Sequence, residues 1–147
     1  MVTGEYRYSL DDKGRIMIPA KIRSEITGNV LILTRGIETC LWLFPPEEWK
    51  QISGKLLESF SIFQKKARLI HRRIIAPAQE AEIDRTGRIT VPSTLREYAG
   101  LNKDCIVIGM LRRLEIWDEE MYRSYSSVNE DEFQEAAEEI GNDLKIL

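Results

Sequence analysis

One block of sixteen residues recurs along this chain. Tyr8-Ser-Leu-Asp-Asp-Lys-Gly-Arg-Ile-Met-Ile-Pro-Ala-Lys-Ile-Arg23 returns 73 positions later as Ala81-Glu-Ile-Asp-Arg-Thr-Gly-Arg-Ile-Thr-Val-Pro-Ser-Thr-Leu-Arg96, with identity at Asp11/Asp84, Gly14/Gly87, Arg15/Arg88, Ile16/Ile89, Pro19/Pro92 and Arg23/Arg96. The same offset aligns Gly36 with Gly109, Leu41 with Leu114, Leu43 with Ile116 and Phe44 with Trp117. Two copies of one supersecondary unit in 147 residues predict a single domain in which the copies share a core.

Within each copy the pattern reads β-β-α-β-β. Tyr6-Arg-Tyr-Ser-Leu alternates apolar and polar side chains as a half-buried strand does. Asp11-Asp-Lys-Gly then offers an aspartate acceptor and a glycine free to take positive φ, and Arg15-Ile-Met-Ile resumes the strand, so a β-hairpin is predicted. Pro19 favours a helix start, giving a short helix over 19–26 ended by Thr27-Gly-Asn. Two more strands follow, Val30-Leu-Ile-Leu-Thr and Thr39-Cys-Leu-Trp-Leu-Phe. The second copy repeats the plan, with a helix over 92–99 closed by Gly100. Half-units of this kind leave sheet edges open for the other copy to close.

The expected boundaries are 5–52 for the first repeat, 53–76 for a helical connector, 77–124 for the second repeat and 125–147 for an acidic C-terminal helix. Phe133, Ala136, Ala137 and Ile140 make an i, i+3, i+4, i+7 stripe on a helix over 130–140 ended by Gly141, and such a stripe needs a surface to dock on. Trp42, Trp49 and Trp117 sit in apolar patterns and are assigned to core or interface.

An apolar fraction of 43% with 31% charged residues is that of an ordinary soluble globular protein. There is no apolar run of bilayer length, and the start Met1-Val-Thr-Gly-Glu-Tyr-Arg has no signal-peptide pattern; the expectation is a cytoplasmic protein. Cys40 and Cys105 occupy non-equivalent repeat positions in apolar stretches and are expected to be buried reduced thiols. His71 is the only histidine and there is no Cys-x-x-Cys, so neither a metal nor a cofactor is expected.

The net charge of −3 conceals a division, because residues 1–73 hold 13 Lys/Arg against 8 Asp/Glu, or +5, and residues 74–147 hold 8 against 16, or −8. Asp11-x-x-x-Arg15 and Asp84-x-x-x-Arg88 are the sharpest constellation. One role open to them is structural, each aspartate capping its turn and each arginine pairing back to a carboxylate. The other puts Lys13, Arg15, Arg85 and Arg88 at hairpin tips, where they reach phosphates or guanine edges of a major groove wide enough for a two-stranded ribbon. Repetition of the basic residues favours the second role, with Asp11, Gly14, Asp84 and Gly87 shaping the turns. Lys65-Lys-Ala-Arg-Leu-Ile-His-Arg-Arg73, if helical, presents Lys65, Arg68 and Arg72 to solvent, to DNA backbone or to a neighbouring subunit's acidic tail. Arg23 and Arg96 are expected to bridge to an acid of the other copy.

The Asp-x-Gly-Arg-Ile-x-Val/Ile-Pro core following a strand resembles the SpoVT/AbrB swapped-hairpin fold, and its duplication with Asp-x-x-x-Arg in each copy resembles the MraZ family over nearly the whole chain. This resemblance implies an α+β swapped-hairpin barrel of two pseudo-symmetric β-β-α-β-β halves with connecting and C-terminal helices. It also implies a nucleoid-associated transcriptional regulator that binds double-stranded DNA at promoter direct repeats of its own division and cell-wall gene cluster, assembles with itself into a ring, and contacts DNA through the signature arginines. Copy two departs from copy one, with Thr86 for Lys13 and Arg85 for Asp12, so equal contributions from the two turns are not implied. Two other classes compete: an antitoxin or adaptor of the same fold binding a protein through its acidic tail, and an enzyme, which one histidine and no nucleophile–base pairing disfavour.

Overall fold

In the computed structural model, which describes residues 2–59 and 61–146, the first copy forms β1 (Val2–Ser9), β2 (Arg15–Met17), α1 (Ala20–Arg23), β3 (Val30–Arg35) and β4 (Leu41–Phe44). Helices α2 (Pro46–Ser59) and α3 (Lys65–Ile70) lead to the second copy, α3 running into a π-helical turn over His71–Ile75. The second copy forms β5 (Gln79–Glu82), β6 (Arg88–Thr90), α4 (Ser93–Ala99), β7 (Asp104–Leu111) and β8 (Leu114–Asp118), and α5 (Glu119–Val128) and α6 (Glu130–Leu144) follow. The β-β-α-β-β pattern therefore holds in both copies. Among the described residues no helix is long and apolar enough to cross a membrane.

The hairpin expected within each copy is corrected by the pairing. The Asp11–Gly14 turn closes locally, with Asp11 N donating to Arg15 O at 3.0 Å, but its arms then diverge: β1 pairs antiparallel with β7, and β2 pairs with β6. The six-stranded antiparallel sheet runs β1-β7-β8-β4-β3-β5, and β2 and β6 form a separate two-stranded ribbon. Turn chemistry fixes where the chain reverses but not which strand receives each arm. Burial decides that, because Ile16 and Ile89 face each other across the ribbon and are both almost fully buried. Ile16 and Ile89 are equivalent repeat positions, as are Trp42 and Glu115, which pair across β4 and β8. A pseudo-twofold thus relates the halves, and each closes sheet edges the other leaves open.

Alternation along β4 and β8 divides the core in two. Leu41, Leu43, Leu114 and Ile116 point into the main core with Ile16, Ile18, Ile22, Ile89, Val91 and Leu95, all buried. The opposite sheet face carries Trp42 and Trp117, and between them the carboxylate of Glu115, only 5% exposed. Glu115 Oε1 accepts the Trp117 indole N–H at 3.0 Å, and Oε2 accepts those of Trp42 and Arg113 Nη2, each at 3.1 Å. Arg113 also lies over the Trp42 ring, 4.7 Å from its centroid. The Trp assignment to the core holds for Trp117, and the acid it hides was not foreseen.

Both cysteines are buried free thiols, as expected. Burial, with carboxylates nearby, pushes the Cys105 thiol up to about 12 and that of Cys40 well above its ordinary value. The short helix after β2 is briefer than expected, since α1 holds only four residues. Gly141 does not end the last helix: α6 continues to Leu144 and is closed by Lys145 in the left-handed conformation at φ 57°. One interior glycine costs a helix about 1 kcal/mol, too little to stop it without a competing turn. The stripe on this helix is uncovered, with Phe133 64% and Ile140 57% exposed.

Candidate nucleic-acid interface

Strand periodicity places every second residue of the β2–β6 ribbon on one face. Ile16 and Ile89 take the inner face, and Arg15, Met17, Arg88 and Thr90 therefore share the outer one, with Arg15 opposite Thr90 and Met17 opposite Arg88. The two arginines are diagonal neighbours, a relation that puts side-chain roots about 7–8 Å apart. Lys13 and Arg85 are exposed in the turns that flank the ribbon. What the sequence presented as two separate tips is one continuous basic face, because the pairing of the two copies sets the arginines side by side.

The turns beneath this face are built from the predicted motif. Asp11 Oδ1 accepts the backbone N–H of Lys13 at 2.9 Å and of Arg15 at 2.8 Å, while Oδ2 accepts Arg15 Nε at 2.7 Å. Asp84 Oδ1 accepts the N–H of Thr86 at 2.8 Å and of Arg88 at 3.0 Å. Donation by the Arg15 amide, then by its side chain, holds the Asp11 carboxyl below the usual range, and at Asp84 the leading cause is the Thr86 hydroxyl. Gly14 and Gly87 take φ of 74° and 88°, which a side chain would resist. The structural role considered for Asp-x-x-x-Arg is thus met in full in copy one: the aspartate caps the turn and its arginine pairs back to it.

Arg23 and Arg96 correct a further expectation. Each packs against the other copy, but its hydrogen-bond partner is a backbone carbonyl of its own copy rather than an acid of the other. Arg23 Nε donates to Ile18 O at 3.0 Å and its guanidinium lies against Gly87; Arg96 Nη1 donates to Val91 O at 2.5 Å and lies against Gly14. The acids of those turns are already engaged by their own amides, whereas the carbonyls beyond the ribbon are not. Ile18 N donates to Gly87 O and Val91 N to Gly14 O, both at 2.8 Å, so each arginine braces the junction of the two copies. A Cβ on Gly14 would fall 1.8 Å from Arg96 Nη1. Gly14→Ala is accordingly expected to lower stability by about 1–2 kcal/mol from backbone strain alone, measured by chemical denaturation.

The basic run of 65–73 does not form one regular face. The π-helical turn, with Ala76 N donating to His71 O at 2.8 Å, breaks the helical period after Ile70. Arg73 is used inside the chain, donating to Tyr98 Oη from Nε at 3.2 Å and Nη2 at 3.1 Å and stacking on its ring. Arg68 Nη1 donates to Ile62 O at 2.6 Å, and Lys65, Lys66 and Arg72 are exposed.

Sequence reasoning missed Met17 and Thr90 as members of the basic face. The alternation in Arg15-Ile-Met-Ile and Arg88-Ile-Thr-Val carried that signal, since it groups each with its arginine. Thr86, whose hydroxyl donates to Asp84 Oδ1 at 2.7 Å, was noted only as a departure from Lys13.

Comparison with known proteins agrees with the duplicated signature. The family model described as "MraZ protein, putative antitoxin-like" matches twice, at residues 1–73 and 74–143. The chain is 49% identical over 140 residues to a protein of Treponema denticola named transcriptional regulator MraZ, covering 95% of this chain and 97% of that protein. Proteins of the same name from Treponema pallidum (strain Nichols) and Thermoanaerobacter sp. (strain X514) are 45% and 43% identical, over 94% and 99% of this chain and 93% and 100% of theirs. With its two signature turns, its pairing across the copies and relatives matched over almost their full length, the chain belongs to the MraZ family.

Proposed function

We propose that this protein is a DNA-binding transcriptional regulator that lays the outer face of the β2–β6 ribbon against double-stranded DNA, with no catalytic step. The observation that carries the reading is the convergence of Arg15 and Arg88 on one exposed ribbon face, flanked by Lys13 and Arg85. Lys13 and Arg85 supply phosphate contacts, which give affinity, and the ribbon presents arginine to base edges, which gives choice. The names of the relatives support the regulatory role. The target in this reading is direct repeats in the promoter of its own division and cell-wall gene cluster, and the site of action is the nucleoid in the cytoplasm.

The local positive charge makes binding steeply dependent on salt despite the acidic total. Each phosphate neutralised contributes roughly 0.9 to the slope of log affinity against log salt, so two to three contacts per subunit give a slope of roughly −2 to −3. Filter binding over a salt series on fragments selected from genomic DNA tests this, and a flat response excludes the ribbon face as a phosphate-binding surface.

Self-assembly into a ring is supported by the helices. The connector exposes Leu57, Ile62, Phe63 and Leu69 beside Lys65 and Lys66, and α6 exposes Phe133, Ile140 and Leu144 among seven acids. These appendages follow equivalent points of the two copies and carry opposite charge. A contact joining one chain's connector to the next chain's α6 is heterologous, and such contacts close into rings when the rotation permits. Sedimentation at micromolar concentration is expected to show a species well above 17.1 kDa, and Phe133→Asp to shift it toward the monomer. The antitoxin or adaptor reading rests on the same uncovered α6 stripe and predicts a stoichiometric partner of different sequence on purification.

A further inference from the structure

The two turns under the basic face use their aspartates differently. In the first turn Asp11 divides its oxygens: Oδ1 serves backbone amides and Oδ2 holds Arg15 Nε at 2.7 Å. Held through Nε, the Arg15 guanidinium keeps its two terminal nitrogens for a ligand and has its plane set in advance. In the second turn the Thr86 hydroxyl joins the amides on Asp84 Oδ1, and the Arg88 side chain makes no hydrogen bond with Asp84. Its ion-pair contact is instead with Asp11 across the ribbon, at 3.9 Å. The matching position in the first turn is Lys13, whose side chain is exposed and makes no bond with Asp11 among the described residues.

We infer that Asp11 is a positioning residue that makes the two arginines unequal readers of DNA. Arg15, oriented by Asp11, selects bases; Arg88, which makes only the longer contact with Asp11, follows the phosphate backbone without regard to sequence. A preorganised fork loses less freedom on binding and punishes a mismatched base, whereas a mobile guanidinium meets a phosphate from many directions. Each subunit then reads an asymmetric site despite its internal symmetry. An asymmetric site repeated head to tail is what a direct-repeat target consists of. The inference rests on the DNA-binding reading of this face.

Two measurements test it. Affinity for selected DNA and for random DNA is compared in Arg15→Ala and Arg88→Ala over a salt series. Arg15→Ala is expected to reduce the ratio of the two affinities by roughly tenfold or more. Arg88→Ala is expected to weaken both alike and to reduce the salt slope by roughly 1. Separately, the Nε–H signals of the two arginines are followed by NMR in the DNA-free protein. Asp11→Asn, which keeps an oxygen for the turn amides but puts an amide nitrogen where Oδ2 held Arg15, is expected to speed the exchange of the Arg15 Nε–H to that of Arg88. Equal loss of discrimination in both arginine variants, or an Arg15 Nε–H indifferent to Asp11→Asn, overturns the inference while DNA binding by this face stands. Unchanged DNA binding in both arginine variants overturns that reading and the division of labour with it.

Discussion

Arg15→Ala is expected to abolish specific DNA binding while leaving the protein folded and assembled. The Arg15–Asp11 pair is about one-third exposed on each side, at 35% and 29%, and ion pairs that solvent reaches contribute little to stability. Loss of a bidentate fork onto a base costs about 1–3 kcal/mol per site, and an assembly that presents many sites multiplies the loss through effective concentration. Asp11→Ala provides the contrast. It strips the acceptor from two backbone amides as well as from Arg15, so it is expected to melt earlier and to bind DNA poorly. Were Arg15 only a brace for its turn, the two variants would melt alike and operator affinity would fall only with the fold. Melting temperature and operator affinity measured on both variants separate these outcomes, and a well-folded Arg15→Ala protein with parental affinity removes Arg15 from the interface.

The largest loss of stability is expected from Glu115→Ala. Its carboxylate is the shared acceptor of two indole N–H groups and of Arg113, and its removal leaves those donors facing an apolar cavity. Breaking a buried charged network by deleting one member costs about 3–5 kcal/mol. For a domain of this size 3 kcal/mol corresponds to a fall of roughly 10 °C in Tm. Glu115 lies on the sheet face opposite the ribbon, so DNA affinity below the transition is expected to be unchanged. Glu115→Gln, which keeps an acceptor but can leave only one oxygen for three donors, should fall between. Calorimetry checks the order of the three proteins. A Glu115→Ala protein that melts with the parent shows that water replaces the carboxylate without loss.

The duplicated block by itself determined the order of elements in each copy, the two turns and the residues that shape them. These are local matters: an aspartate accepting the amides two and four residues on, a glycine at positive φ and a proline before a helix act within five residues. The same locality explains where the sequence misled. Gly141 resembles a helix end, and only the continuing turn over 142–144 shows that it is not. The hairpin arms read as partners of each other because turn chemistry is blind to what lies across the core. Tertiary structure alone decided that β2 pairs with β6 and β1 with β7, since that exchange buries Ile16 against Ile89 and gives β7 a second neighbour in the sheet. It thereby turned two basic turns into one face, sent Arg23 and Arg96 to backbone carbonyls rather than acids, and brought Glu115 between Trp42 and Trp117. Contacts between residues tens of positions apart depend on which surfaces the whole chain can bury together, and no local pattern records that choice.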